Sequence, residues 1–478
     1  MSDNEQSTPE QTERSLKPIQ LFICLAIGLT FWFSPAPNGL EVGGWHVLGL
    51  FVTTILALVI KPLPMGAVAL ISLEIAILTN LITAKQGFSA FSSTVVWLVL
   101  FALFIAKGFN VTGLSKRIAY FFTAIFGKKT LGLSYGLMLT DLILAPAIPS
   151  VTGRAAGIVF PIVRSIATSY KSFPNCSSSK KIGGFLTVTA FQVTTITSAM
   201  FMTAMAANPL IAKLTADQSI ALTWGKWALA AIVPGIISLA VIPWFIFKIY
   251  PPSIRVTPNA TILAKQNLKD MGKISRSEWI MGFTVIVLLT LWMLNKYINP
   301  AVAGMVGLTV LLVSGVLEWK SLVKIDTAWE TFFWFCIIIM LAGQLTDQGV
   351  LSWFTTNVEG YFSDYHWTKA LPIICLIYFY IHYFFASSTA HVSAMFPAFL
   401  GLAIVLGAPP LLAVFVLTFA SNLFGGLTHY SLAPAPLLYG VGYVDIKDWW
   451  RIGFLVSLIN IAIWCGIGIP WWKFLGYW

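Results

Sequence analysis

Two short segments of the chain carry the same polar pattern. PSVTGRAAGIVFP (149–161) and ASSTAHVSAMFP (386–397) each read Ser-x-Thr-x-cation and then Phe-Pro. Ser150 and Ser387 are 237 positions apart, as are Thr152 and Thr389, and Arg154 and His391. A second pair, TAMAANP (203–209) and THYSLAP (428–434), repeats at an offset of 225. Hydroxyl donors, a cationizable side chain and a helix breaker together suit an anion. A broken helix frees backbone N–H groups, and a helix N-terminus carries partial positive charge. Arg154 adds a planar fork matched to a carboxylate, and His391 a neutral donor or a second charge. Neither motif contains an acidic residue. Two separated tips suit an anion with two acceptor groups, and a small dicarboxylate fits that better than phosphate or sulfate.

These side chains must be positioned inside a bilayer. Hydrophobic residues make up 58% of the 478, charged residues 10%, and mean hydropathy is +0.83. Soluble domains carry roughly 25% charged residues. Apolar runs long enough to cross a hydrocarbon core recur about eleven times. The expected fold is an all-α polytopic membrane protein of about eleven transmembrane helices plus two re-entrant helical hairpins. The first span is expected within 17–43 and a first repeat over 44–247, with its hairpin near 131–163. A basic cytoplasmic linker covers 248–277, and a second repeat covers 278–478 with its hairpin near 371–406. Residues 1–16 read as a disordered cytoplasmic tail. An odd number of spans separates the hairpins, so they enter from opposite faces, the inverted-topology repeat of many secondary transporters.

Most of the 29 Lys and Arg fall on one side of this map, which places the N-terminus in the cytoplasm and the C-terminus outside a plasma membrane. The net charge of +11 is therefore topological and does not imply nucleic acid. No cofactor or metal is expected, because the five Cys and five His show no ligand spacing. No HExxH, GxxxxGK[ST] or nucleophile set supports an enzyme. An anion channel remains a rival, to be decided by single-channel currents.

The expected binding set is Ser150, Val151, Thr152, Arg154, Ser387, Ser388, Thr389 and His391 at the hairpins. Thr203, Asn208, Pro209, Thr428 and His429 join it from the second broken stretches. An unpaired Arg154 at mid-bilayer would resist crossing until a dianion neutralised it, and transport would then be obligatory, electroneutral exchange. The alternative for Arg154 is a structural salt bridge with Asp141. Glu74, Lys107 and Asp347 are further charges in or at the ends of spans, with no partner in register.

The stretches SAFSSTVVWLVLFALFIAKGFNVTGL, LAPAIPSVTGRAAGIVFP, FFASSTAHVSAMFP and GGLTHYSLAPAPLLYGVGY resemble the divalent anion/sodium symporter family, closest to its exchanger branch of citrate/succinate, 2-oxoglutarate/malate and plastid dicarboxylate antiporters. The resemblance implies eleven spans with two hairpins, a homodimer, an elevator motion, and substrate held by paired Ser-Asn-Thr motifs. Val151 and Ser388 stand where the asparagines would be. Val151 removes an oxygen that sodium would use, and Arg154 and His391 set cationic groups beside the same tips. The expectation is sodium-independent exchange of C4/C5 dicarboxylates; the rival is a sodium-coupled symporter of the same fold.

Overall fold

The computed structural model describes residues 17–294, 297–361 and 365–478. The tail expected over 1–16 lies outside the described residues. Among those described, the chain is helical, with one isolated bridge, Lys129 to Val256, as its only extended pairing. Among the described residues, seven helices are long and apolar enough to cross a membrane, and five shorter apolar helices accompany them.

The chain divides into two compact units. The smaller comprises the described residues up to Ala90 together with Phe333–Val350. Its helices Pro18–Phe33 and Val42–Ile60 pack closely where Gly49 admits the Phe31 ring. Thr54 and Ser72 share a buried hydrogen bond of 2.9 Å between Val42–Ile60 and Met65–Leu78.

The larger unit, Phe91–Phe332 with Leu351–Trp478, holds both repeated motifs. Here the expected hairpins form. Thr130–Leu144 runs to a non-helical tip, and the chain returns as helix over 151–169, interrupted by a π-helical turn at Ala155–Val159. Trp367–Tyr380 and a 3-10 turn lead to the second tip, and Ser388–Val405 returns. Ser150 and Ser387 cap the returning helices by accepting from Gly153 N (3.0 Å) and Ala390 N (3.3 Å). The repeated serine is thus first a helix start signal.

The stretches expected to break also break. One apolar run divides into Gly183–Met200 and Ala207–Asp217, and another ends its helix at Leu423, with 3-10 and turn backbone before Ala435. Every residue of Gly183–Met200 is buried, including six Ser and Thr. This helix packs on the first hairpin and on Pro410–Leu423. Ala207–Asp217 packs on Ser388–Val405, so the two repeats interlock through their broken parts. The central basic segment is folded: Pro258–Asp270 is a helix lying along the amphipathic helix Leu114–Phe126. Arg117 fastens that helix to Glu278 through two hydrogen bonds, of 2.5 and 3.1 Å, and also donates to the carbonyls of Met271 and Gly272.

Candidate functional site

Arg154 points inward from the first turn of the returning helix and is 0% exposed. Its Nε donates to Asp141 Oδ1 at 3.1 Å. Its Nη1 donates to the carbonyls of Ile148 (2.5 Å) and Ala204 (2.6 Å), and its Nη2 to Ser198 Oγ (2.9 Å). The other oxygen of Asp141 accepts from the hydroxyls of Thr194 (2.9 Å) and Thr197. The expected bare guanidinium is therefore corrected. Asp141, one hairpin arm away, neutralises it, and four donor contacts commit it to protein oxygens. A buried charge persists only when paired and hydrogen-bonded, and this one is both. Its work is to join the hairpin tip, through Ile148, to the broken stretch, through Ala204.

The second half uses a related device. His391 is 0% exposed, and its Nδ1 lies 2.9 Å from Nδ1 of His382. His382 Nε2 meets the Ser431 carbonyl at 3.0 Å. A carbonyl only accepts, so His382 carries its proton on Nε2. Its bare Nδ1 then accepts from His391, which leaves His391 Nε2 as a lone pair without a partner. Phe385 and Phe424 stack on His391 with centroids 4.6 and 4.5 Å away. Ser388 Oγ donates to the same Ser431 carbonyl at 3.2 Å. In each half, then, the cationizable side chain ties the hairpin to a carbonyl of the broken stretch, directly in the first and through His382 in the second.

The remaining expected residues divide by exposure. Val151, Thr203, Asn208, Pro209 and Thr428 are buried. Thr203 Oγ1 donates to Pro146 O at 2.6 Å and accepts from Trp224 Nε1. Asn208 Nδ2 donates to the Ser198 and Phe201 carbonyls, replacing helix bonds lost at the break. Ser150, Thr152, Ser387, Thr389 and His429 are partly open. His429 Nδ1 accepts from Trp450 Nε1 at 3.0 Å. Beside the first tip lies a cleft of about 170 Å³, lined by Ile148, Ser150 and Gly153 together with Lys107 and Asn110.

Asp141, Thr194, Thr197 and Ser198 were not in the expected set, and neither were His382 and Lys107. Thr194, Thr197 and Ser198 recur at helical spacing on a buried span, a stripe that could have pointed to a polar partner.

Residues 15–478 match the model of the sodium:sulfate symporter transmembrane region. The chain belongs to that family. As a member of the sodium:sulfate symporter family it is a multi-pass membrane transporter and not an enzyme. YflS of Bacillus subtilis (strain 168), named as a proposed malate transporter, is 48% identical over 98% of each chain. The chloroplastic dicarboxylate transporter 1 of Arabidopsis thaliana is 44% identical over 97% of this chain and 84% of its own. The inner membrane protein YbhI of Escherichia coli (strain K12) is 37% identical over 96% and 98%. The crystal structure of the Alcanivorax borkumensis YdaH transporter covers 90% of this chain and 98% of its own, with a TM-score of 0.51 at 12% identity, a likeness of fold.

Proposed function

We propose that this family member exchanges C4/C5 dicarboxylates across the plasma membrane, without sodium, by an elevator-type motion. The observation that carries the reading is the oxygen shell around Arg154. Asp141 Oδ1, Ile148 O, Ala204 O and Ser198 Oγ face inward at a hairpin tip, a donor set suited to a hard cation. The guanidinium fills it. In the second half the His382–His391 pair takes the corresponding place against Ser431 O. The dicarboxylate assignment is supported by the names of YflS and of the chloroplastic relatives.

Since Asp141 quenches Arg154, the charge that an anion must neutralise lies instead at the tips. Two returning helices start there, each with a positive end equivalent to roughly half a charge. The open hydroxyls of Ser150, Thr152, Ser387 and Thr389 stand at those ends. An empty carrier would carry that potential, about one positive charge in all, unscreened through hydrocarbon, and a dianion spanning both tips would more than offset it. The N-terminus is placed in the cytoplasm, the C-terminus outside, and the working unit is a pair of chains.

The test is uptake of labelled malate into proteoliposomes. Uptake is expected only with internal dicarboxylate, at equal rates in sodium and choline, and unchanged by an imposed potential. Net uptake into empty vesicles at a rate near that of exchange, or a sodium requirement, would refute it.

A further inference from the structure

Arg154 is committed to protein oxygens, so the first hairpin's cleft needs another source of positive charge. Lys107 supplies one. It lies on the membrane-spanning helix Thr94–Thr112, is exposed, and has no carboxylate within ion-pair distance among the described residues. Leu103, Ala106, Lys107 and Asn110 all line the cleft, at the i, i+3, i+4, i+7 spacing of one helix stripe. The lysine therefore faces the same space as Ser150 and Gly153 of the tip. An ionisable residue within a span marks a substrate path by default. The repeat sharpens the point. At the offset of 237, Lys107 in the first copy corresponds to Gln344 in the second and Asn110 to Asp347, so only the first copy places a positive charge on this stripe.

We infer that Lys107 is a specificity-determining residue whose ammonium takes one carboxylate of the dianion while the first hairpin tip receives it. The inference rests on the dicarboxylate reading and adds a residue to it. An ammonium is a compact charge on a flexible stem, able to follow a carboxylate into the cleft and release it. Substrates that lose one negative charge lose this contact, so the lysine selects dianions over monoanions.

The experiment compares wild type, K107R and K107Q in proteoliposomes preloaded with malate. The readouts are the KM for labelled malate, the maximal rate, and competition by succinate against monomethyl succinate. K107Q is expected to raise the KM by about tenfold or more, the scale of one charge-assisted hydrogen bond, with the maximal rate little changed. Its preference for succinate over the monoester should collapse, and K107R should restore both. Malate-induced thermal stabilisation reads the same affinity in any variant that folds. Should K107Q not fold, the wild-type KM must rise with added choline chloride, as an exposed charge is screened. A folded K107Q with wild-type KM and wild-type preference, or a wild-type KM indifferent to salt, would overturn the inference and leave the lysine reaching only toward lipid headgroups. Wild-type vesicles that exchange no malate would instead refute the dicarboxylate reading itself.

Discussion

Removing the Arg154 side chain should convert a built-in cation site into a soluble one. In Arg154→Ala, Asp141, 2% exposed, loses its counter-ion, while the carbonyls of Ile148 and Ala204 and the Ser198 hydroxyl lose their donors. Breaking a buried pair by deleting one partner destabilises by about 3–5 kcal/mol. An attraction of about 4 kcal/mol for unit charges 4 Å apart at an effective dielectric of 20 gives the same scale. The void left behind is edged by four oxygens and one net negative charge, a coordination suited to sodium. The assay is thermal unfolding of purified protein in choline chloride and in sodium chloride, followed by malate exchange in both. The variant should melt well below wild type in choline, recover part of the loss in sodium, and exchange only where sodium is present. Asp141→Asn/Arg154→Met, which removes both charges, should melt above Arg154→Ala and ignore sodium. Wild-type melting of Arg154→Ala in choline would refute the pairing, and restored stability with no cation preference would refute the oxygen shell. Relaxation to uniport, expected had the guanidinium been bare, is not expected now.

His382→Phe keeps a ring against Phe424, whose centroid is 3.8 Å away, but strands His391 Nδ1 and leaves Ser431 O only the hydroxyl of Ser388; a loss of about 1–3 kcal/mol in unfolding experiments is expected, and an unchanged melt would show that stacking alone holds the tip. Gly453→Ala would set a Cβ 2.5 Å from Leu427 O and 2.6 Å from Gly426 O, pressing Ile446–Ile463 off the unwound backbone; its melt should fall by about 1–3 kcal/mol, whereas Gly282→Ala, with open space around it, should match wild type. Exposed Cys176 lies on the loop after the first hairpin; its hydrogen bond with Ser178, 3.0 Å long, holds the thiol below its ordinary range. Its thiolate fraction therefore persists as pH falls toward neutrality. A membrane-impermeant maleimide should label it at pH 7 in inside-out vesicles and not in intact cells; labelling in intact cells would reverse the topology.

The hairpins were legible because their breakers are local. Ser150 and Ser387 sit at helix starts, and Asn208-Pro209 and the turn before Pro434 interrupt long apolar runs. Any stretch that reads Ser-x-Thr inside hydrocarbon must find partners for freed backbone groups. The pairing of Arg154 was harder to see. Its acid lies 13 residues back and its hydroxyl partner 44 ahead, so only the packed fold decides whether the guanidinium meets Asp141 or a substrate. His382 escaped notice for a related reason. The register of 237 sets it opposite Ala145, so the repeat that exposed His391 carried no trace of its partner. Lys107 was visible as a charge within a span, but its direction depends on which helix stripe lines the cleft.

The guanidinium at the first tip has one more consequence on the exchange reading. A counter-ion fastened to the peptide has no concentration. It cannot be diluted away in fresh water or crowded in brine, and the tip stays organised in either. The same permanence removes an energy source, since an ion that never leaves cannot run down a gradient. Such a carrier performs no uphill accumulation of its own; it only brings the inside-to-outside ratios of its two solutes to a common value, and metabolism decides which way each one flows.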